Sequence, residues 1–189
     1  MEISVDISLG QRVKRVRAAR GWTLEELADA SGVSRAMISK IERGEASPTA
    51  AVLARLAGGL GVTLASLFTD ATRDGAPLAR AADQPVWTDP ATGYVRRNVS
   101  PPGAYGTADI VDVIFPPGER VVFDNATGWH GVTQQVWVLA GRIEMTVGAE
   151  TTPLGPGDCL FMRVERPLVF HNPGDEPARY AIVLSRIEM

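Results

Sequence analysis

The chain has 189 residues, of which 45% are hydrophobic and 22% are charged. This apolar content excludes a fully disordered protein, and no apolar run approaches the roughly 20 residues that a membrane-spanning helix needs. A single cysteine, Cys159, excludes an internal disulfide and a zinc cluster of the multi-cysteine kind. Because Met1–Gly10 lacks the basic and apolar blocks of a secretion signal, we expect a cytoplasmic protein with no membrane partner.

The net charge of −3 conceals two segments of opposite sign. Nine basic and five acidic residues lie between Leu9 and Phe68, which gives this stretch a charge of +4 and the other 129 residues a charge of −7. A basic segment joined to an acidic one indicates a polyanionic partner for the first segment. A solvated helix face explains the same charge equally well.

Apolar residues recur at helical spacing through the first 68 residues, as at Leu24, Leu27 and Ala28. Residues that favour helix starts precede three of these stripes, and glycines follow two of them. The starts are Thr23, Ser34 and Ser47-Pro48-Thr49, and the stops are Gly44 and Gly61. The pattern predicts five short helices over residues 9–20, 24–30, 35–43, 49–60 and 63–68.

Thr69–Pro85 has no periodicity and contains Ala, Asp, Gly and Pro, so we predict a linker between two domains that move semi-independently. From Trp87 onward, short β-rich runs alternate with turn signals. Strands are predicted over residues 94–99, 108–115, 120–123, 134–139, 142–147, 159–164, 168–170 and 179–185. Eight or more strands at this spacing predict a sandwich or closed barrel. The chain thus divides into a helical domain over 1–68, a linker over 69–85 and a β domain over 86–189.

The second and third predicted helices have the spacing of a pair that crosses closely. Ala28 leaves room for the crossing, and Gly32 falls in the turn between the helices, where we expect a left-handed backbone. Ile38 and Ile41 bury one side of the third helix. Its outer face then carries Ser34, Arg35, Ala36, Ser39 and Lys40, which could enter a DNA major groove.

Three segments, Gly21–Ala28, Gly32–Arg35 and Ile38–Gly44, make residues 9–68 resemble the XRE, or lambda-repressor-like, DNA-binding domain. The resemblance implies an all-α fold of five helices that contains a helix-turn-helix. A protein-interaction module with the same packing is the alternative, but the outward face is basic and polar rather than apolar.

The same resemblance assigns roles to individual residues. It implies that Arg35, Ala36 and Lys40 face the bases, and Arg35 could contact guanine through two hydrogen bonds. Thr23, Ser34 and Arg43 are expected to hold phosphates, which sets the register on DNA. The resemblance also implies a structural ion pair between Glu42 and Arg17. For Arg35, an exposed arginine without a role is the alternative.

Residues 106–186 resemble a cupin, an all-β jelly-roll barrel. The matching segments are Pro117-Gly118, Val136–Gly141, Gly155–Asp158 and Phe170–Pro173. An XRE domain followed by a cupin is a familiar layout of bacterial transcription regulators. The resemblance therefore implies a homodimer that pairs through its cupin domains, binds a near-palindromic operator in double-stranded DNA and senses a small-molecule effector.

Metal-binding cupins use three histidines and a glutamate, a ligand set that suits a divalent first-row metal. When the motif is aligned on Gly141, Gln134 takes the glutamate position and Leu168 takes the third histidine position, which leaves His130 as one ligand. We therefore expect no metal, no other cofactor and no enzymatic activity. The alternative function is a cupin-type mononuclear metal oxidase or epoxidase fused to a helix-turn-helix domain.

A second alignment of the metal-binding motif still allows a weak metal site. When the first motif is aligned on Gly118, Asp124 and Ala126 take the histidine positions. Asp124 with His130 is then the one pair that could hold a metal.

Strand alternation predicts what the barrel holds instead. If Gln134 faces inward, Val136 does so too, with Leu168 and Phe170 on a neighbouring strand. An apolar cavity with a few polar groups is the usual form of a small-ligand site. We therefore predict ligand contacts at His130, Gln134, Val136, Leu168 and Phe170. A structural histidine at 130 and a surface amide at 134 are the alternatives.

Five further residues of the β domain have predicted positions. Trp137 is expected to face outward, where it would contribute to a packing or dimer surface. Met145, Met162 and Phe161 are expected in the core. Cys159 is predicted to be a buried strand residue rather than a redox sensor, because no basic neighbour in the sequence lowers its pKa.

Overall fold

The computed structural model describes residues 5–68, 77–101, 108–124 and 131–186. Its first part consists of five helices: α1 (Val5–Ala19), α2 (Leu24–Ser31), α3 (Arg35–Glu42), α4 (Ala50–Gly59) and α5 (Leu64–Leu67). All five predicted helices are confirmed, although α1 begins at Val5 rather than at residue 9. Within the described ranges, no helix is long and apolar enough to cross a membrane.

Hydroxyl side chains start four of the helices. The side-chain oxygens of Thr23, Ser34, Thr49 and Thr63 each accept a hydrogen bond from a backbone N–H three residues ahead. These bonds satisfy N–H groups that have no partner inside the first helical turn. Gly32, between α2 and α3, has a φ of 65°, so the left-handed turn expected there is confirmed.

Helix α1 crosses α3 closely at Gly10. A Cβ atom at this position would collide with the backbone carbonyl oxygen of Ile41, so a larger residue would push the two helices apart. The side chains of Leu9, Val13 and Ile38 pack around the crossing and are fully buried. This contact joins the helix-turn-helix to the rest of the helical domain.

Ten strands form the second part of the chain. They are β1 (Val86–Thr88), β2 (Val95–Asn98), β3 (Ala108–Phe115), β4 (Arg120–Phe123), β5 (Val132–Ala140), β6 (Ile143–Val147), β7 (Glu150–Leu154), β8 (Cys159–Arg163), β9 (Leu168–His171) and β10 (Ala178–Arg186). One antiparallel sheet has the order β1-β2-β3-β10-β5-β8 and the other has the order β4-β9-β6-β7. The eight predicted strands are all present, and the two sheets form the expected cupin fold.

Strands β1 and β7 were not predicted. Strand β1 has three residues and pairs with β2 alone, so it offers too short a pattern to detect. Strand β7 contains Pro153, which removes a ladder hydrogen bond and argues against a strand in sequence. The proline is tolerated because β7 is the edge strand of its sheet.

Aromatic rings connect the end of the helical domain to the interior of the barrel. Each ring contacts the next at centroid distances of 5.6–6.3 Å, in the order Phe68, Trp87, Tyr94, Phe115, Tyr180, Phe170 and Phe123. Most of these pairs meet edge to face, which is a favourable arrangement of ring quadrupoles. The core is therefore continuous from α5 into the space between the sheets.

The two domains pack against each other, which differs from the semi-independent movement expected of the linker. Three of the hydrogen bonds between described residues cross the interface: Ala50 N–H to Asp89 Oδ1 at 3.0 Å, Asn98 Nδ2 to the Ala65 carbonyl oxygen at 2.8 Å, and the Thr63 hydroxyl to Asp109 Oδ2 at 3.2 Å. Of the predicted linker, residues 69–76 lie outside the described residues, and residues 77–85 include one turn of 3-10 helix at Ala81–Asp83.

Candidate nucleic-acid interface and barrel cavity

The outer face of α3 is free for contact with a partner. Ile38 and Ile41 are fully buried against the bundle, and this fixes which side of α3 faces solvent. Arg35, Ala36 and Lys40 are exposed on that side, and Ser39 is half-buried beside them. These are the residues expected to face the bases. A major groove is wide enough to admit a helix, so this face has the shape and charge to enter one.

Arg35 is held only loosely. Its Nε atom lies 3.8 Å from Glu25 Oε2, and both side chains are 68% exposed. An ion pair of this length and exposure contributes little stability, because water screens both charges. The guanidinium of Arg35 is therefore available to accept a different partner at the N-terminal end of α3.

Arg43, in contrast, is fully engaged. Its Nε and Nη2 atoms donate to the two carboxylate oxygens of Glu45 at 2.6 and 2.7 Å, and Nη1 donates to the Ser39 hydroxyl. The hydrogen bonds from Arg43 lower the pKa of Glu45. A phosphate that bound Arg43 would have to replace this carboxylate.

Thr23 and Ser34 place hydroxyl groups at the N-termini of α2 and α3. The Thr23 hydroxyl donates to Glu26 Oε2 at 2.9 Å, and its oxygen accepts from the Glu26 N–H at 3.2 Å. Ser34 Oγ accepts from the Met37 N–H at 3.3 Å. Both residues are exposed. Helix N-termini attract anions through their unpaired N–H groups, so both hydroxyls lie where a phosphate contact is favourable.

Arg17 and Glu42 form a largely buried ion pair between α1 and α3. Arg17 Nε and Nη2 each donate to a Glu42 carboxylate oxygen at 2.7 Å, and the two side chains are 13% and 6% exposed. Arg17 Nη1 also donates to the Trp22 carbonyl oxygen at 2.6 Å. The pair therefore faces the interior of the bundle and holds α3 in place, away from any DNA contact.

A cavity of about 40 Å³ lies where the barrel meets the helical domain. Its barrel wall includes three of the predicted ligand residues, Gln134, Leu168 and Phe170. Val136, on the same strand as Gln134, is fully buried but lies outside the cavity wall. His130 lies outside the described residues. The helical domain supplies the remaining side of the wall through Ala54 of α4 and Leu64 of α5.

Arg96 of β2 also lines this cavity, and sequence reasoning missed it. The residue is 4% exposed, and neither its Nε nor its Nη2 atom has a hydrogen-bond partner in the described part of the chain. The Nε2 atom of Gln134, itself 6% exposed, is also unpartnered there. Buried donors are almost always paired, so two of them on one cavity wall mark a polar site.

Two buried tyrosines surround Arg96 without neutralising it. Burial raises the pKa of Tyr94 and raises that of Tyr180 further, and the charge of Arg96 only partly opposes this effect. Both phenols therefore stay neutral at physiological pH. The sequence could not show that Arg96 points inward. Alternate residues over 94–98 define two faces, Tyr94, Arg96 and Asn98 on one and Val95 and Arg97 on the other, and neither face is apolar.

The structure places no metal cluster at the cavity. Among the described residues, no group of three or more His, Cys, Asp and Glu side chains lies close enough to hold an ion. Asp124 is exposed at the end of β4. The second residue of the predicted Asp124–His130 pair, His130, lies outside the described ranges.

The outer face of the six-stranded sheet carries several exposed apolar side chains, with the Asp112–Arg179 ion pair among them. Trp137 faces outward as expected and is 50% exposed, and Phe161 is 61% exposed. The core position expected for Phe161 was wrong, because successive strand residues face opposite ways and Met162 is the one that points inward. Cys159, expected to be buried, is exposed opposite Trp137 on the neighbouring strand.

Comparison with known proteins agrees with this architecture. A helix-turn-helix family model matches residues 13–67, and a cupin domain family model matches residues 111–184. The HTH-type transcriptional regulator SutR of Escherichia coli is 26% identical over 185 residues, which cover 91% of each chain. An uncharacterized HTH-type transcriptional regulator of Sinorhizobium fredii, y4dJ, is 39% identical over 61 residues, which cover 32% of this chain and 79% of that protein.

A solved structure shares the fold of the whole chain. The HTH_3 family transcriptional regulator from Vibrio cholerae matches 97% of both chains with a TM-score of 0.80, at 22% sequence identity. The order and packing of the helical and β domains are therefore common to both proteins.

Proposed function

The chain belongs to the HTH-type transcriptional regulators that join an XRE-type helix-turn-helix domain to a cupin domain, and we propose that it acts as a homodimer whose barrel senses a small molecule. As a member of this family it binds DNA.

In this proposal each copy reads one half of a near-palindromic operator. The exposed outer face of α3 supports this role, with Arg35, Ala36 and Lys40 directed at base edges and Ser39 between them. Thr23, Ser34 and Arg43 supply phosphate contacts around it. Paired recognition helices contact half-sites one DNA turn, about 34 Å, apart.

The outer face of the six-stranded sheet is the proposed dimer surface. Its exposed apolar residues are Val86, Ile110, Ile114, Trp137, Leu139 and Phe161, each between 37% and 61% exposed. Exposed apolar side chains that gather on one face are unfavourable in water and often mark an interaction site. A twofold dimer buries the same patch on both copies, so a single face of the barrel suffices.

The observation that carries the sensing role is that α4 and α5 supply one side of the cavity wall. Ala54 and Leu64 form that side, so a ligand bound in the cavity contacts both helices. Helix α4 also packs against α2 of the helix-turn-helix. Ligand binding thereby changes the position or mobility of the DNA-binding helices. A tenfold change in DNA affinity requires a coupling of about 1.4 kcal/mol.

The barrel performs this role without a metal in our proposal. Gln134 and Leu168, which occupy two of the ligand positions of metal-binding cupins, both lie on the cavity wall. A neutral amide and an aliphatic side chain are poor ligands for a divalent metal. We therefore favour a binding function over an oxidase or epoxidase activity.

Native mass spectrometry of freshly purified full-length protein, with a denatured control and with duplex DNA selected from a random library, tests the proposal. We expect two chains per duplex, half-sites one turn apart and no bound metal. An organic adduct lost on denaturation would identify the effector by mass. A monomer on DNA would contradict the proposed dimer. One iron per chain would favour the oxidase or epoxidase alternative instead of the sensing function.

A further inference from the structure

The wall of the barrel cavity carries a buried positive charge, Arg96, that has no carboxylate partner among the described residues. We propose that the ligand sensed by this barrel is a small organic acid, whose carboxylate is bound by Arg96 and Gln134 and whose apolar body lies against the rest of the wall. This inference rests on the proposed sensing function and specifies the chemical class of the ligand.

The surroundings of Arg96 satisfy it only in part, because its side chain hydrogen-bonds the Tyr94 phenol while two of its nitrogens stay unpaired within the described ranges. Its Nε and Nη2 atoms have no partner among the residues that the structure describes, and its phenolic neighbours are neutral. The nearby carboxylate of Asp89 is already occupied by the Ala50 N–H and the Thr92 hydroxyl, at 3.0 and 2.7 Å. A desolvated charge without a partner is strongly unfavourable, so its retention calls for a ligand that supplies the opposite charge.

Another arginine of the same chain shows what a purely structural buried arginine requires. Arg17, also largely buried, binds both oxygens of Glu42 and a backbone carbonyl oxygen, which uses three of its nitrogens. Arg96 has the burial of Arg17 without its carboxylate. A planar guanidinium suits two parallel bonds to a carboxylate, and this is the geometry that Arg96 still lacks.

Gln134 adds a second donor. Its Nε2 atom is buried on the same cavity wall and has no partner among the described residues, and Gln134 lies in an inward-facing row with Val132, Val136 and Val138. An amide N–H is a hydrogen-bond donor, so it complements a carboxylate oxygen and does not repel Arg96. Both unpaired groups therefore demand an acceptor, and none of the observations favours a cationic ligand.

The remainder of the wall is apolar. It consists of Ala54, Leu64, Phe123, Val164, Leu168, Phe170, Ile182 and Leu184. Such a surface binds a hydrocarbon chain through burial of apolar area rather than through polar contacts. An inorganic anion would leave this surface uncovered, whereas an aliphatic monocarboxylate uses both parts of the site.

Calorimetry on the full-length protein with three matched probe series tests the inference. The series are straight-chain monocarboxylates from acetate to hexanoate, and the alcohols and primary amines of the same chain lengths. We expect at least one carboxylate to bind at millimolar concentration or below, with the alcohols and amines of its length at least tenfold weaker. Equal binding of acid and alcohol, or no binding by any acid, would overturn the inference.

Substitutions locate the binding site. Arg96→Met should weaken carboxylate binding at least tenfold and raise the Tm of the ligand-free protein, because it removes an unpaired buried charge. Arg97→Met, the next residue on the opposite face of β2, is the matched control and should leave binding unchanged. Gln134→Leu gives a second test if the Arg96 variant does not fold. Undiminished binding in the Arg96 or Gln134 variant would contradict the assignment.

The same samples separate this inference from the sensing function. If a carboxylate binds through Arg96 but leaves DNA affinity unchanged, the site stands and the sensing function fails. If DNA affinity responds to an alcohol or amine but to no carboxylate, sensing stands and the acidic ligand is excluded.

Discussion

The carboxylate of Asp89, at the end of β1, accepts a hydrogen bond at 3.0 Å from the backbone N–H of Ala50, the first residue of α4. This contact places a buried negative charge from the barrel at the positive end of a helix in the DNA-binding domain. Asp89 also accepts from the Thr92 hydroxyl at 2.7 Å, which fixes the turn between β1 and β2. The Asp89 side chain therefore joins the barrel to α4, which forms part of the cavity wall.

Asp89→Ala should destabilise the protein and loosen this junction. The variant loses charge-assisted hydrogen bonds in a buried setting, so we expect a loss of about 1.5–3 kcal/mol in the free energy of unfolding. Urea denaturation measures the loss, and amide exchange at Ala50 should become faster. Asp83→Ala, an exposed aspartate just before β1, is the control. Equal unfolding free energies for the two variants would argue against a role of Asp89 at the interface.

Arg35→Ala and Arg43→Ala should affect DNA binding in different ways. Loss of a base contact relaxes the preference at one operator position, at a cost of about 1–3 kcal/mol. Loss of a phosphate contact weakens binding to all sequences alike and reduces the salt dependence. Binding of both variants to an operator and its single-base variants distinguishes the effects. If both lose affinity without a change in preference, α3 is not the recognition helix as assigned.

Glu45→Gln should strengthen DNA binding without changing sequence preference. The substitution removes a negative charge near the DNA surface and frees Arg43 from its carboxylate partner, so we expect a gain of up to about fivefold. Because Arg43 lowers the pKa of Glu45, this carboxylate stays charged at neutral pH, and the gain should persist as the pH rises. Glu150→Gln, on the remote edge strand β7, makes the same charge change. A similar gain in that variant would indicate a general charge effect.

Phe161→Glu should convert the proposed dimer into a monomer. The residue is 61% exposed on the apolar face, so a glutamate there costs little in the single chain but places two buried charges at the interface. Sedimentation equilibrium measures the mass. Val122→Glu, at a position 45% exposed on the other sheet, is the control and should remain dimeric. A dimer of undiminished stability in the Phe161 variant would move the interface elsewhere.

The helical domain was predictable because its signals are local. Thr23, Ser34 and Thr49 stand directly before apolar stripes, and their hydroxyls make the capping bonds that such residues favour. Gly32 adopts the left-handed turn that its position requires. Each of these features depends on residues within one helical turn, so the helix starts and the turn between α2 and α3 could be predicted from short stretches of sequence.

The junction between the domains was not predictable in this way. Asp89 and Ala50 are 39 residues apart, and nothing near either one indicates the other. Arg96 lies on a strand whose two faces are about equally polar, so alternation could not show that it points inward. The sequence thus predicted two apolar residues of the cavity wall, Leu168 and Phe170. The buried Arg96 and the helices that line the cavity became evident only from the fold.

Filling the cavity without a ligand tests the central claim most directly. Ala54 is buried on the cavity wall, so the indole of Ala54→Trp should fill the cavity and displace α4 from the barrel. Ala51→Trp, half-buried on α4 and outside the cavity wall, is the control. With folding verified by circular dichroism, we expect the operator affinity of Ala54→Trp to differ from wild type by about tenfold or more, and that of the control to match wild type. Faster amide exchange at Ala50 in Ala54→Trp, together with an unchanged operator affinity, would contradict coupling between the cavity and DNA binding.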